Sequence, residues 1–453
     1  MSELPKGWVS SSLSGVIPHN GIISDGDWVE SKDQDPEGIV RLIQLADIGD
    51  GDFKNKSQRF MTEDAAERLN CSYLKSGDLL IARMPDPLGR ACIFPGVGQK
   101  AVTVVDVCFI RENELSAISN SLLKYWINSP KIRNLIASNS SGSTRKRITR
   151  KNLERFIFPV PPQAEQTRIV EKLDEVLAQV DTIKARLDGI PAILKRFRQS
   201  VLAAAVSGRL TAEWRGNSPS KWKEITLSEC TTRIGDGLHG TPIYSKDGGF
   251  YFVNGNNLSD GKIIIKENTR QVDLIEFDKH RRELNEHTLL LSINGTIGNL
   301  ALYNGEPIIL GKSACYINFN EMIMREFGYI LLSSLGFLQY AKQVATGATI
   351  QNVPLKGIRN YKFNLPSLEE QKIIIGLVNQ YINFANTIEA QVKKTQERVD
   401  NLTQSILAKA FRGELVAQDP NDEPAEKLLE RIAQARKEAE ALAKAAKKVA
   451  KTK

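Results

Sequence analysis

The chain has 453 residues, of which 41% are hydrophobic and 25% charged, and its formal net charge is +8. That length allows about three or four units of ordinary domain size, and no apolar run approaches the ~18 residues that a membrane-spanning helix needs. The small positive excess fits an anionic partner but does not establish one.

The cysteines and the first residues indicate a cytoplasmic protein. The five cysteines are scattered, odd in number and without a C-x-x-C pair, a pattern typical of reduced thiols. Residues 1–8 show no signal-peptide pattern. The four histidines have no metal-ligand spacing, so we expect no metal site.

Residues 1–155 indicate a mixed α/β domain, because short apolar runs alternate with turn signals. Its predicted elements are strands at 39–43, 78–81 and 102–105 and a helix at 121–136. Residues 215–360 show the same pattern and predict a second such domain. Its predicted elements are strands at 250–253, 262–265 and 288–293 and a helix at 326–344.

Each domain is followed by a long helix, and the two helices repeat one pattern. Phe158 and Glu165 recur as Phe363 and Glu370, an offset of 205 positions. Both copies carry apolar residues at the 4-3 spacing of a coiled coil. The predicted seam consists of Leu173, Val176, Val180, Ile183, Leu187, Ile190, Leu194, Phe197 and Val201 in the first copy, and of Val378, Tyr381, Ala385, Ile388, Val392, Val399, Leu402 and Ile406 in the second. We expect the copies to pack on each other head-to-tail over roughly 42 Å, and core packing in a helical bundle is the alternative.

These helices define spacers at 156–214 and 361–418, followed by a tail at 419–453. Pro191 lies inside the first spacer, where it should kink or divide the helix. The tail begins with Asp-Pro and Glu-Pro pairs and continues as an Ala-, Lys- and Glu-rich helix that ends in lysines. A solvated charged helix explains the tail, and weak contact with DNA or a partner is the alternative.

The sequence lacks the usual motifs of enzymes. It contains no G-x-x-x-x-G-K-[ST] phosphate loop, no G-x-G-x-x-G between a strand and a helix, and no nucleophile elbow. It also contains no Asn-Pro-Pro-Tyr or Asp-Pro-Pro-Tyr run, and no Glu-x-Lys follows Pro85-Asp86 to complete a nuclease site. We therefore expect a non-catalytic chain that binds no cofactor.

The first domain carries a basic loop at 138–151. Its hydroxyls, glycine and cations are the groups that bind DNA phosphates, and arginine can also fork onto guanine. The predicted DNA contacts of this domain are Ser143, Thr144, Arg145, Lys146, Arg147 and Arg150, with Arg83 and Arg90 from other loops. A solvated basic loop is the alternative, but so many neighbouring positive charges repel each other unless an anion offsets them.

The corresponding loop of the second domain, 345–356, has fewer charges and more amides. Asn and Gln side chains can pair bidentately with adenine. The predicted DNA contacts of this domain are Asn254, Asn256, Asn257, Asn294, Thr349, Gln351, Asn352 and Lys356. An exposed Gln-Asn turn explains the loop equally well, since loop asparagines are common turn formers.

Two repeated motifs carry a family resemblance. Each helix opens with P-x-x-x-E-Q, at 161–166 and 366–371, and closes with Q-S-x-L-A-x-A and G-x-L, at 199–210 and 404–415. Combined with two unlike domains, this arrangement resembles the specificity subunit of type I restriction–modification enzymes, in particular the enterobacterial members.

The resemblance implies an α+β fold, with two mixed α/β target recognition domains joined by two long helices in an antiparallel coiled coil of pseudo-two-fold symmetry. Each domain would read one half of a bipartite, asymmetric site in double-stranded DNA. Two methyltransferase subunits and the restriction subunits would be the partners, and S-adenosylmethionine, ATP and Mg²⁺ would bind to those partners. A coiled-coil adaptor that binds only proteins and a stand-alone enzyme with a duplicated catalytic domain are the competing hypotheses.

Overall fold

The structure is a computed structural model that describes residues 4–18, 21–85, 87–142, 145–216, 222–347 and 349–451, with side chains as far as residue 442. The chain divides into two compact units. Unit 1 comprises Met1–Ala185 and Thr395–Lys453, and unit 2 comprises Arg186–Lys394. Each unit therefore contains one of the predicted domains and one part of each long helix.

The domain of unit 1 is built from short strands and short helices. Its strands are β1 (Val9–Ser12), β2 (Ile22–Asp25), β3 (Val40–Ile43), β4 (Phe60–Met61), β5 (Leu79–Ala82), β6 (Ala91–Ile93), β7 (Ala101–Thr103), β8 (Val107–Arg111) and β9 (Ile157–Val160). Its helices are α1 (Leu13–Val16), α2 (Glu63–Arg68), α3 (Asn120–Asn128), α4 (Pro130–Ser138) and α5 (Arg150–Glu154). The strands form a four-stranded sheet in the order β2-β8-β5-β6, a three-stranded sheet in the order β4-β3-β7, and the antiparallel pair β1-β9.

The domain of unit 2 repeats this topology. Between the long helix α6 (Gln163–Val206) and the second long helix α12 (Leu368–Ala410) lie β10 (Lys223–Thr226), β11 (Thr231–Asp236), β12 (Phe250–Val253), β13 (Leu258–Ser259), β14 (Lys262–Ile263), β15 (Gln271–Val272), β16 (Thr288–Ser292), β17 (Leu300–Leu302), β18 (Ile308–Leu310), β19 (Ala314–Phe319) and β20 (Lys362–Leu365). The helices of this domain are α7 (Ala212–Arg215), α8 (Leu274–His280), α9 (Arg325–Leu332), α10 (Leu335–Val344) and α11 (Leu355–Arg359), and α13 (Ala425–Lys451) ends the chain in unit 1. The sheets have the orders β11-β19-β16-β17 and β15-β12-β18, and β10 pairs with β20.

The central strands explain why this fold forms from short apolar runs. Every residue of β5 and of β16 is buried, as expected for strands that are covered on both faces. In each three-stranded sheet the middle strand has one parallel neighbour, β7 beside β3 and β18 beside β12. The predicted mixed α/β domains are therefore confirmed, and the likeness between them extends to strand order and direction.

The helix predicted at 121–136 consists of two helices, α3 and α4, and the one predicted at 326–344 consists of α9 and α10. The break falls at Ser129 in the first domain and at Ser334 in the second. The Ser129 hydroxyl donates to the Trp126 carbonyl (2.6 Å), and the Ser334 hydroxyl donates to the Leu331 carbonyl (2.7 Å). Such local side-chain bonds compete with helix continuation, so each pair turns at the same point.

The two long helices run antiparallel inside each unit. In unit 2, Arg198 of α6 pairs with Glu389 of α12 (2.6 Å). Thr211 follows Arg198 in the chain, but its partner Glu370 precedes Glu389, so the two segments run in opposite directions. In unit 1, Lys184 pairs with Asp400 (2.8 Å). The predicted antiparallel pairing of the helices is confirmed. Pro191 lies within α6 without dividing it.

The contact between the helices is narrower than a full coiled-coil seam. In each helix, one row of apolar residues at seven-residue spacing is buried. The buried members are Leu173, Val180, Leu194 and Val201 in α6 and Val378, Ala385, Val392, Val399 and Ile406 in α12. Leu187 belongs to the α6 row but is only half-buried. The other row is more open. Its half-buried members are Val176, Ile190, Phe197 and Ile388, and its exposed members are Ile183, Tyr381 and Leu402.

The tail packs on the first domain over its first half. Ala425, Leu428 and Ile432 of α13 are buried. The Ala425 N–H donates to the Gly7 carbonyl (2.9 Å), and Arg168 of α6 pairs with an aspartate in the segment before α13 (2.5 Å). The interpretation of the whole tail as a solvated helix was wrong for this half, because its three-to-four spacing of apolar residues buries one face.

All five cysteines are free, and four of them are buried. Burial raises the pKa of the Cys92 thiol to about 12, so this thiol is protonated near neutral pH. Among the described residues, no helix is both long and apolar enough to cross a bilayer.

Candidate nucleic-acid interface

The predicted basic loop forms a small hairpin in the first domain, and the second domain has the same hairpin. Ser141 and Arg147 exchange two backbone hydrogen bonds of 3.0 and 2.8 Å. Thr346 and Asn352 exchange two bonds of 2.8 Å. Thr346 and Asn352 lie 205 positions after Ser141 and Arg147. The 205-residue repeat of the long helices therefore also includes these hairpins.

A glycine shapes both hairpins. Gly142 has a φ of +117° and Gly347 a φ of +103°, a region that side chains rarely adopt. A Cβ on Gly142 would lie 2.3 Å from the Arg145 carbonyl oxygen, and one on Gly347 would lie 2.4 Å from the Ile350 carbonyl oxygen. Only glycine allows this close turn, which fixes the backbone while the other side chains differ.

The first hairpin is strongly positive. Arg145 and Lys146 are exposed and form no ion pair with any described residue. Arg147 is half-buried, donates to the Val105 carbonyl (2.9 Å) and lies 3.7 Å from an aspartate. Ser143 and Thr144 lie outside the described residues. The exposed cations are available to an anion, whereas Arg147 supports the hairpin base.

Arg150, at the start of α5, is partly engaged by the domain itself. It donates to the Ile23 carbonyl (3.3 Å) and pairs with Glu154 (3.1 Å). Arg359 makes the equivalent contact in the second domain, where it donates to the Ile234 carbonyl (2.7 Å). Arg150 therefore connects α5 to β2.

Arg83 and Arg90 are structural in this domain, contrary to the prediction of DNA contact. Arg83 is 5% exposed, donates to the Ile148 carbonyl (3.1 Å) and pairs with Asp25. Arg90 is 7% exposed and donates to the carbonyls of Ile48 and Leu45. Both guanidiniums satisfy buried carbonyls, which leaves little surface for a ligand.

The second hairpin presents neutral polar groups. Thr349 and Gln351 are exposed, Asn352 is half-buried in the bridge, and Lys356 is exposed on α11. Asn294 comes from a neighbouring loop and forms a second bridge with Asn352. The bridge brings the backbones of Asn294 and Asn352 together, and exposed hydroxyl and amide side chains on such a loop are groups that can read base edges.

Asn254 and Asn257 hold a turn. The Asn254 N–H donates to the Asn257 side chain (3.1 Å), and the Asn257 amide donates to the Ile264 carbonyl (3.0 Å). Both asparagines therefore stabilise a turn, as loop asparagines often do. Of the three predicted asparagines at 254–257, only Asn256 is exposed. Gln44 and Asp47 form the same turn in the first domain.

Sequence reasoning missed how each helix is fastened to its domain. The Gln166 amide donates to the carbonyls of Ala117 (2.7 Å) and Pro161 (3.0 Å), and its oxygen accepts from the Ser119 N–H (3.1 Å). All three partners are backbone groups. The anchor therefore does not depend on which side chains the domain carries.

Gln371 makes the same three bonds in unit 2. Its amide donates to the carbonyls of Met322 (3.0 Å) and Pro366 (3.0 Å), and its oxygen accepts from the Met324 N–H (2.7 Å). Each partner lies 205 positions after its counterpart in unit 1. The repeated Glu-Gln pair was the available signal, and its function is to set the junction between domain and helix.

The neighbouring glutamate binds a tryptophan from the start of each domain. The Trp8 indole N–H donates to Glu165 (2.9 Å), and the Trp222 indole N–H donates to Glu370 (2.9 Å). Both glutamates are buried. The first strand and the helix start are thus tied together in both units.

The two glutamates differ in their other partners. Glu370 also accepts from Thr211 (2.6 Å) and Arg215. The second carboxylate oxygen of Glu165 is buried without a hydrogen-bond partner among the described residues. Burial raises the pKa of Glu165, although the hydrogen bond from Trp8 lowers it in part. Both carboxylate oxygens of the motif glutamate therefore accept hydrogen bonds in unit 2, whereas in the described part of unit 1 only one does.

Metal binding finds no support in the described part of the chain, where no group of three or more His, Cys, Asp or Glu side chains lies close enough to hold an ion.

Comparison with known proteins identifies the family. A family model described as "Type I restriction modification DNA specificity domain" matches residues 5–192 and 219–398. The EcoBI specificity subunit of Escherichia coli is 35% identical over 300 residues, which cover 62% of this chain and 63% of that relative. The EcoKI specificity subunit of Escherichia coli K12 is 34% identical over 311 residues, which cover 66% and 67%. The matches thus span about two thirds of the length of these relatives.

The fold agrees with a solved structure of the same kind. The HsdS subunit from Thermoanaerobacter tengcongensis superposes with a TM-score of 0.62 at 20% identity, covering 91% of this chain and 98% of that chain. The chain thus has two mixed α/β domains, each joined to a pair of antiparallel helices, an arrangement that defines this class of protein. The chain belongs to the type I restriction modification DNA specificity domain family, as the repeated motifs predicted.

Proposed function

We propose that this chain is the DNA sequence-specificity subunit of a type I restriction–modification complex. The domain at 1–155 reads one half of a bipartite, asymmetric site, and the domain at 215–360 reads the other. The observation that carries this proposal is the pair of equivalent hairpins. They share the paired backbone bonds and the positive-φ glycine, whereas the first carries the exposed cations Arg145 and Lys146 and the second carries the exposed neutral side chains of Thr349 and Gln351.

The chemistry of the hairpins supports this division. Exposed Arg145 and Lys146 supply phosphate contacts and can fork onto guanine, whereas Gln351 can pair with adenine. Equivalent scaffolds with different tips are what an asymmetric site needs, because each half-site then meets its own set of donors and acceptors.

The helices at 156–214 and 361–418 act as the spacer and bind the partner subunits. In unit 2, Ile193, Tyr381 and Phe384 are exposed on the long helices, and in unit 1 Ile183 and Leu402 are exposed. Large apolar side chains exposed on helices are typical of protein–protein contacts. Two methyltransferase subunits dock here, and the restriction subunits join them.

The chain itself catalyses nothing in this proposal. Methyl transfer to adenine uses S-adenosylmethionine on the methyltransferase subunits, and ATP and Mg²⁺ act on the restriction subunits. The repeated family match over both halves of the chain supports this division of labour.

A salt series on the complex with its methyltransferase subunits tests the proposal against a protein-only adaptor. Binding of a duplex containing the methylated site should fall steeply as salt rises, because DNA binding releases counterions from phosphates. An adaptor would assemble with its partners yet add no DNA affinity to them. A complex that binds the duplex no better with this chain than without it would refute the proposal.

A further inference from the structure

Trp28 exposes 68% of its surface although its loop is firmly held. The Asp27 N–H donates to the Thr103 carbonyl (2.7 Å), and the Val105 N–H donates to the Asp27 carbonyl (3.0 Å). The indole N–H donates to the nearby carboxylate of Glu30 (3.3 Å). An exposed tryptophan on a fixed backbone offers an apolar face and a hydrogen-bond donor, the combination that enriches tryptophan at binding interfaces.

The loop of Trp28 borders the basic hairpin. Val105, whose N–H donates to Asp27, accepts with its carbonyl a hydrogen bond from Arg147 (2.9 Å). One residue therefore connects the Trp28 loop to the base of the hairpin. The exposed cations Arg145 and Lys146 lie on that same hairpin.

The charge around this edge favours an anion. Three acidic side chains beside it are paired with cations: Asp25 with Arg83, Asp106 with Arg147 (3.7 Å), and Glu30 with Lys32 (2.7 Å). The fourth, Asp27, is half-buried and accepts a hydrogen bond from the Ser72 N–H (3.0 Å), and burial raises the pKa of its carboxyl. The exposed hairpin cations have no such partner among the described residues. The edge thus offers an apolar ring beside unbalanced positive charge, a combination that suits nucleic acid.

The second domain has a side chain suited to DNA at the same position. A glycine stands two residues before this position in each domain. A Cβ on Gly26 would lie 2.2 Å from the Val104 carbonyl oxygen, and a Cβ on Gly237 would lie 2.1 Å from the Leu310 carbonyl oxygen. Two residues farther on stand Trp28 and His239, and both are exposed. The position therefore presents an exposed ring in both domains, with a different ring in each.

Resting on the proposed function, we propose that Trp28 packs against base edges of the half-site read by the first domain, as a specificity contact separate from the hairpin. His239 occupies the same place for the other half-site. An indole matches thymine methyl groups, which lie on base edges in the major groove and which apolar side chains contact in DNA complexes.

The test uses the full chain with its methyltransferase subunits and two duplexes. One duplex carries the site mapped by methylation, and the other has the half-site of the first domain scrambled. Binding is compared at one salt concentration for wild type, Trp28→Ala, Trp28→Phe and Ile39→Ala. Ile39 is a matched control, because it is also apolar and exposed (62%) but lies before β3, away from the Trp28 loop.

We expect Trp28→Ala to bind the specific duplex roughly tenfold more weakly and the scrambled duplex with unchanged affinity. Trp28→Phe should stay within about threefold of wild type, and Ile39→Ala should match wild type. Equal losses on both duplexes, or no loss on the specific one, would overturn the inference. If wild type itself fails to prefer the specific duplex, the proposed function fails instead.

Discussion

Replacing Gln371 by alanine should loosen the junction between the second domain and α12. The side chain is fully buried and makes three hydrogen bonds, all to backbone groups. At about 1 kcal/mol net for each bond, the loss comes to about 3 kcal/mol of unfolding free energy. The bond to the Pro366 carbonyl is buried, so at least that acceptor would be left without a partner and without water.

Chemical denaturation, followed separately for the two units by fluorescence or hydrogen exchange, measures this change. Gln380→Ala is the matched control, because Gln380 is exposed on the same helix and its replacement should change stability by less than about 0.5 kcal/mol. If Gln371→Ala were as mild as the control, the anchoring role of the motif would be wrong. Protection should be lost in unit 2 and retained in unit 1.

Three further outcomes follow from the contacts. Glu165→Gln should keep or raise stability at neutral pH, whereas Glu370→Gln should cost about 2 kcal/mol because the half-buried guanidinium of Arg215 loses its counter-charge; thermal melting of the two variants compares them directly. Because burial raises the pKa of Glu165, the contribution of Glu165 to stability should fall as pH rises from about 4.5, so the stability of Glu165→Gln relative to wild type should increase over the same range; a relative stability that decreases with rising pH would contradict this. Arg145→Ala combined with Lys146→Ala should lower the salt slope of DNA binding by roughly two, since each phosphate contact contributes about 0.9; an unchanged slope would remove the hairpin from the DNA surface.

The sequence predicted both long helices and several strands, because apolar periodicity follows burial in those elements. The heptad residues located both long helices, and the apolar runs at 79–81 and 288–292 located the central strands. The same heptads could not show that Tyr381 and Leu402 are exposed, since a two-helix contact buries one row of apolar residues more deeply than the other. Nor did apolar spacing reveal the breaks at Ser129 and Ser334, which arise from a local hydroxyl bond.

The candidate site was harder to predict because side-chain type does not report burial. Arg83 and Arg145 have the same chemistry, but Arg83 lies against Asp25 and a strand carbonyl whereas Arg145 is exposed. The informative signal was that Gly142 and Gly347 are separated by the repeat distance of 205 residues. Both occupy a close backbone turn that only glycine can adopt.

The anchors suggest how domains of this kind diverge without losing the spacer. Gln166 and Gln371 bind only backbone groups, and these groups have the same spacing in both units. A domain that keeps the backbone of that loop keeps the anchor, whatever its recognition side chains. Under the proposed function, this separation of the anchor from the recognition side chains allows each domain to read its half-site independently.

The central claim is tested most directly by exchanging residues 215–360 for the corresponding domain of a relative and mapping methylated adenines by long-read sequencing in a host that carries the methyltransferase subunits. The account predicts that one half-site changes, while the other half-site and the gap between them stay the same. A change in both half-sites, or in the gap alone, would contradict the assignment of one half-site to each domain.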